Sequence, residues 1–164
     1  MKAAEEDKFS IKGIFSEVHK YPHLFFGTIA MFFYVGAESC TAGFFIPYLQ
    51  KVLNFTPAEA SKYLTLYYIF AGVMCLLAVI ILRYVKAHIL VGIYGIGMII
   101  CYLVIIFFNT GYNEFFLATL GLFLGIMFPT LFSLGIEDLG AFSGRASALL
   151  NFAIVGGAFF PPIQ

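Results

Sequence analysis

The 164-residue sequence is 62% hydrophobic and 11% charged, and its nine Lys and Arg balance nine Asp and Glu to a net charge of zero. Soluble domains hold about 45–50% apolar and ~25% charged residues, and a chain this short has too little interior to hide so much apolar surface, so its solvent is lipid. Neutral charge without a basic cluster gives no footing for nucleic acid, and Cys40, Cys75 and Cys101, scattered in apolar runs without CxxC spacing, read as small fillers, neither a disulfide framework nor a metal site.

In chain order, the acidic run EEDK follows MKAA where the apolar core of a signal peptide would begin. Ile11, Ile14, Phe15 and Val18 then fall at i, i+3, i+4 and i+7, which suits a short amphipathic helix on the cytoplasmic membrane surface. A plain juxtamembrane linker fits residues 1–20 equally well. A helix needs about 20 mostly apolar residues to cross a bilayer, and the predicted spans are 24–49, 63–82, 89–108, 115–136 and 146–162. Thr56-Pro57-Ala58-Glu59 is a capping box with Pro at the first helical position, a start signal for the second span. Asn109-Thr110-Gly111-Tyr112-Asn113 forms the turn between the third and fourth. No stretch alternates apolar and polar residues as a membrane barrel strand would. The predicted fold class is therefore all-α, a polytopic membrane helix bundle.

Lys and Arg set the orientation. With the amino terminus in the cytoplasm, Lys2, Lys8, Lys12, Lys20, Arg83, Lys86 and Arg145 lie inside and only Lys51 and Lys62 outside. The last span ends at FFPPIQ, just beyond Gly156-Gly157, without a flanking anchor. It reads as a truncated end.

Two motifs carry a family resemblance. MFFYVGAES…GFFIPYL and IMFPTLFSLGIEDLG…GRASALLNFAIVGGAFFPP resemble the fucose–galactose–glucose proton symporters, the fucose permease family of the major facilitator superfamily. In that family the first motif marks the seventh helix of twelve, and the second marks the tenth and eleventh. The resemblance runs from about residue 20 to the end and implies most of a carboxy-terminal six-helix half, residues 21–164, preceded by an interdomain linker at 1–20. It implies alternating access, a small sugar substrate, the bilayer and an amino-terminal six-helix half as partners, no cofactor, a proton gradient as energy source, and residence in a bacterial inner membrane. The family's proton-carrying carboxylates belong to the other half, so none transfers onto these residues. One departure stands out: the family places a Gly-Arg pair in its eighth helix, whereas Ala71-Gly-Val-Met-Cys-Leu-Leu77 has no Arg.

Glu38 is the only acid within a span. It lies about 14 residues into its helix, roughly 21 Å along it, where a charged side chain costs at least ~2.5–3.5 kcal/mol and ordinarily faces a bundle interior or a wet cavity. Tyr34 at i−4 and Thr41 at i+3 share its face, and Gly36 and Gly43 thin the same helix. The expected role is a cavity carboxylate accepting hydrogen bonds from sugar hydroxyls. A protonated Glu bonded to a neighbouring helix is the alternative.

Thr119, Thr130 and Ser133 line one face of the fourth span, where Pro129 removes a backbone donor. Thr130 and Ser133 are candidate sugar contacts, or hydroxyls bonded back to their own helix. Gly121 and Gly125 form a GxxxG packing contact. Asn151 is a sugar contact or interhelical glue, and Tyr67 packs or stacks on a pyranose face. Glu137 and Asp138 oppose the helix dipole at the end of the fourth span, and Arg145 is their expected partner in a cytoplasmic latch. No catalytic residue is expected, because His19, His23 and His88 sit at or outside span ends, away from Glu38. A transporter of another small solute and a non-transporting membrane scaffold remain the competing readings.

Overall fold

A computed structural model describes residues 21–107 and 112–163. The amphipathic stretch at Ile11–Val18 and most of the Asn109–Asn113 turn lie outside them. Four long helices come first: α1 (Pro22–Val52), α2 (Pro57–Tyr84), α3 (Ala87–Phe107) and α4 (Asn113–Ile136). A 3₁₀ turn at Gly140–Phe142 leads into α5 (Ser143–Ala153) and the short α6 (Gly156–Phe159). All four long helices are long and apolar enough to cross a membrane, as the sequence predicts for its first four spans. This is a multi-pass membrane protein.

The local chemistry explains the boundaries. Pro22 begins α1, where its fixed φ suits the first helical turn and its missing N–H costs nothing. Asn54, at φ +57°, turns the chain out of α1, a left-handed conformation that Asn tolerates better than most residues. The capping box then starts α2: Glu59 N–H donates to Thr56 Oγ1 at 3.3 Å, and Thr56 N–H donates to Glu59 Oε2 at 3.0 Å. With 31 residues, α1 is about 46 Å long, more than a ~30 Å hydrocarbon core, so it runs tilted or extends beyond the lipid.

The fifth predicted span differs from expectation. In place of one helix over 146–162, α5 ends at Ala153, the path tightens through Ile154 and Val155, and α6 adds four residues. Ile154 N–H donates to Asn151 O at 3.2 Å and Gly157 N–H to Ile154 O at 2.9 Å, the shorter i→i+3 pattern of a 3₁₀ turn. The tightening has a packing cause. A Cβ on Gly156 would strike the Phe32 carbonyl, so the α6 backbone rides directly on the α1 backbone. Pro161 and Pro162 then deny the chain two amide donors.

At the centre of the bundle stands α4. Half of its apolar stretch is buried, against 11% in α2 and in α3, and it packs on α1, α2, α3 and α5. The GxxxG pair makes this possible, because a Cβ on Gly121 would meet the Tyr67 carbonyl and one on Gly125 the Ala71 carbonyl. The α2 and α4 backbones thus touch without intervening side chains, the usual route to tight helix association where lipid supplies no hydrophobic drive. Ala71 opens the segment that lacks the family's Arg, so that stretch of α2 is engaged with α4 at its first residue.

Candidate functional site

The α-helical repeat places Tyr34, Glu38 and Thr41 on one face of α1, and the structure joins them to three other helices. The Tyr34 hydroxyl, fully within the core, donates to the Leu124 carbonyl at 2.8 Å and pins α1 to α4. Thr41 Oγ1 donates to its own helix at Ala37 O, 2.7 Å away, and lies 2.5 Å from Tyr102 Oη of α3. Between them lies the half-buried Glu38, one helical turn from Tyr34 on the same face of α1. Tyr67 of α2 and Tyr102 of α3 are near enough to feel the charge of that carboxyl. Glu38 therefore sits among three phenol hydroxyls drawn from α1, α2 and α3, with an α4 carbonyl beyond Tyr34.

A cavity of about 420 Å³ opens beside this group, lined by Thr41, Tyr48 and Tyr102 together with apolar residues such as Phe44 and Phe45. Its size falls in the range of small-molecule sites, roughly 300–1,000 Å³. Glu38 is not part of the lining, so the cavity meets the polar group at its Thr41–Tyr102 edge.

The two glycines of α1 differ in use. A Cβ on Gly36 would collide with the Phe160 ring, whereas Gly43 has open space around it. Close approach by a neighbour is thus the role of Gly36, and Phe160 completes an aromatic cluster with Phe32, Phe33 and Phe159.

The other sequence-predicted positions lie elsewhere. Thr130 is buried and donates to Ile126 O at 2.6 Å, and Thr119 donates to Phe115 O at 2.8 Å, so both hydroxyls bond back to α4. Ser133 is exposed and lines a second cavity of about 580 Å³ at the other end of the bundle, with Arg83, Lys86, His88 and Glu137. Asn151 is exposed on α5. Tyr67 is only 1% exposed, and its ring packs on Phe45 at 5.6 Å and Tyr68 at 5.1 Å between centroids, so no face is open to a pyranose. Of the latch residues, Glu137 caps α4, Asp138 takes a left-handed φ of +57° and both are exposed, while Arg145 is half-buried in α5.

Sequence reasoning missed Tyr102 and the loop cations around Glu137. A readable signal existed for Tyr102: a phenol in an apolar run at lipid depth usually finds a hydrogen-bond partner. Arg83, Lys86 and His88 lie some fifty residues from Glu137 in sequence, beyond any local pattern.

The Major Facilitator Superfamily sequence profile matches residues 2–162. A glucose/galactose transporter of Brucella abortus biovar 1 (strain 9-941) is 33% identical over 148 residues, covering 88% of this chain and 36% of that protein. An L-fucose-proton symporter of Haemophilus influenzae (strain ATCC 51907 / DSM 11121 / KW20 / Rd) is 28% identical over 164 residues, covering all of this chain and 38% of its own length. Among solved structures, the Major Facilitator Superfamily transporter FucP in the outward conformation superposes with a TM-score of 0.82 at 25% identity, covering 99% of this chain and 39% of that one. The chain therefore spans well under half the length of the relatives it matches. With a profile match across nearly its whole length and the fold of a solved transporter, the chain belongs to the Major Facilitator Superfamily.

Proposed function

We propose that these residues form the carboxy-terminal half-domain of a proton-coupled sugar symporter of the fucose, galactose or glucose type, with residues 1–20 as the linker before it. The observation that carries this reading is the polar group at Tyr34, Glu38, Thr41 and Tyr102, set in an otherwise apolar bundle whose relatives are named as sugar transporters. Intramembrane carboxyls and hydroxyls are costly and mark substrate pathways by default. Transporters of this architecture hold substrate near the midplane between two halves that rock against one another. A hexose offers hydroxyls that donate to Glu38 and accept from the phenols. Thr130, Ser133 and Asn151 belong to the same proposal as secondary contacts, reached in other states of the cycle.

The amino-terminal half supplies the facing wall, and a transmembrane proton gradient supplies the energy. Lys and Arg placement favours an amino terminus in the cytoplasm, and bacterial relatives support a bacterial inner membrane. Glu137, Asp138 and Arg145 then lie on the cytoplasmic side as a latch, joined by Arg83 and Lys86 around the second cavity. The test is uptake by the whole transporter across a panel of hexoses, pentoses and amino sugars. Competitive, saturable uptake of one or more neutral hexoses supports the proposal, and transport confined to non-sugar solutes refutes it.

A further inference from the structure

The second cavity lies between the α2–α3 turn and the end of α4, and its two walls differ in sign. Arg83 sits in the last turn of α2, Lys86 and His88 flank the start of α3, and all three are exposed and line the cavity of about 580 Å³. Opposite them stand Ser133 of α4 and Glu137 at its end. Among the described residues, Arg83, Lys86, His88 and Glu137 form no ion pair and no side-chain hydrogen bond, although they share one cavity. Lys86 has no acceptor with which to cap α3, so the Ala87 and His88 amides add the partial positive charge of a helix amino terminus to the basic wall.

Each of the two permanent cations also closes an apolar stripe. On α2, Leu76 and Ile80 precede Arg83 at i−7 and i−3, and on α3, Ile89, Ile93 and Ile96 follow Lys86 at i+3, i+7 and i+10. All five apolar side chains are exposed. In a chain that spans the membrane such stripes suit acyl chains, while Lys and Arg at helix ends reach the headgroup layer.

We propose that this cavity seats the phosphate of one anionic phospholipid, with its acyl chains along the α2 and α3 stripes. Basic pockets between membrane helices on the cytoplasmic side hold such headgroups, and that leaflet carries negative lipid. Arg83 is the principal contact, since a planar guanidinium pairs with two phosphate oxygens at once, with Lys86 as a point charge and Ser133 as a hydroxyl donor. The charge count selects the headgroup. Two permanent cations against the Glu137 carboxylate leave one positive charge, which one phosphodiester cancels. Phosphatidylglycerol meets that requirement. Phosphatidylethanolamine brings its own ammonium and leaves the excess in place. Lipid binding needs neither sugar nor proton transport, so its outcome is separate from the symporter reading.

Native mass spectrometry of the whole transporter, titrated in detergent with phosphatidylglycerol, phosphatidylethanolamine or inorganic phosphate, reads the site. The expected result is one phosphatidylglycerol held more tightly than any phosphatidylethanolamine. Each basic side chain near a membrane surface is worth roughly fivefold in affinity for anionic lipid, so Arg83→Gln/Lys86→Gln should lose about 25-fold. Lys86→Arg should keep wild-type affinity. Glu137→Gln removes the opposing charge from an exposed position and should strengthen binding, a gain that misfolding cannot produce. Lys51→Gln, in the last turn of α1 at the other end of the bundle, is the control; a loss there equal to that of the double variant means surface attraction alone and overturns the site. Equal retention of the two lipids, or an affinity indifferent to both the double variant and Glu137→Gln, overturns the proposal. Displacement of the lipid by millimolar inorganic phosphate assigns the cavity to a soluble anion and overturns it as well.

Discussion

Gly125→Ala isolates the contact on which the central position of α4 depends. A Cβ at 125 would lie 2.7 Å from both C and Cα of Ala71, with Ala71 O nearer still, and real Cβ atoms essentially never come within 3.0 Å of another atom. All three obstructing atoms belong to backbone, so no rotamer change relieves them, and restoring ordinary contact near 3.4 Å moves α2 by more than 0.7 Å (3.4 − 2.7), since Ala71 O must be cleared as well. Overpacking a well-filled interior costs about 1–3 kcal/mol. The rigid obstacle places this case in the upper half, roughly thirty- to a hundredfold in the folding equilibrium at ~1.4 kcal/mol per factor of ten. Gly72→Ala on the facing helix α2 is the control, since nothing lies within 4 Å of its Cβ position; there the better helix propensity of Ala makes the change neutral or stabilising by up to ~1 kcal/mol. Thermal denaturation in detergent micelles, followed by the loss of monodisperse protein, compares the two. Equal melting temperatures for Gly125→Ala and Gly72→Ala would refute backbone-to-backbone packing of α2 on α4.

Three further outcomes follow from single contacts. Tyr34→Phe removes the α1–α4 hydrogen bond and should lower stability by about 0.6 kcal/mol, the average for such bonds within membranes, and by no more than ~1.7; thermal denaturation in the same micelles reads it. Thr56→Ala removes the side-chain acceptor of the α2 capping box and should cost about 0.5–2 kcal/mol, whereas Thr65→Ala, whose hydroxyl bonds only back to Ser61 O, should be nearly silent in that assay. Glu38→Leu should weaken sugar affinity in the whole transporter by at least about tenfold, one hydrogen bond to a charged or strongly polar group, without lowering thermal stability by more than the Tyr34→Phe change.

The sequence was informative wherever a single residue decided the local structure. The Thr56–Glu59 box and the apolar run lengths located four helices to within six residues, and the depth and isolation of Glu38 singled it out before any neighbour was known. The fifth element was misread because its boundary is tertiary: Gly156 tightens the chain only because the Phe32 carbonyl waits there. The same applies to the polar group. Tyr34, Glu38 and Thr41 share a helix face and could be joined by spacing alone, but Tyr102 and Tyr67 arrive from α3 and α2, and nothing local in sequence aims them at residue 38. For Thr130 the sequence left a sugar contact and a bond to its own helix both open, and in this structure the hydroxyl bonds to Ile126 O, an option open to any Thr in a membrane helix.

The reading of this chain as one half of a sugar symporter is tested most directly by proton-driven accumulation of labelled hexose in proteoliposomes. The chain alone is compared with the chain reconstituted together with its amino-terminal half. Alternating access needs two halves rocking about a shared site. The expected result is no accumulation by the chain alone and saturable accumulation, abolished by a proton ionophore, when both halves are present. Saturable accumulation by these 164 residues alone, or none by the reconstituted pair for any hexose, would contradict the account.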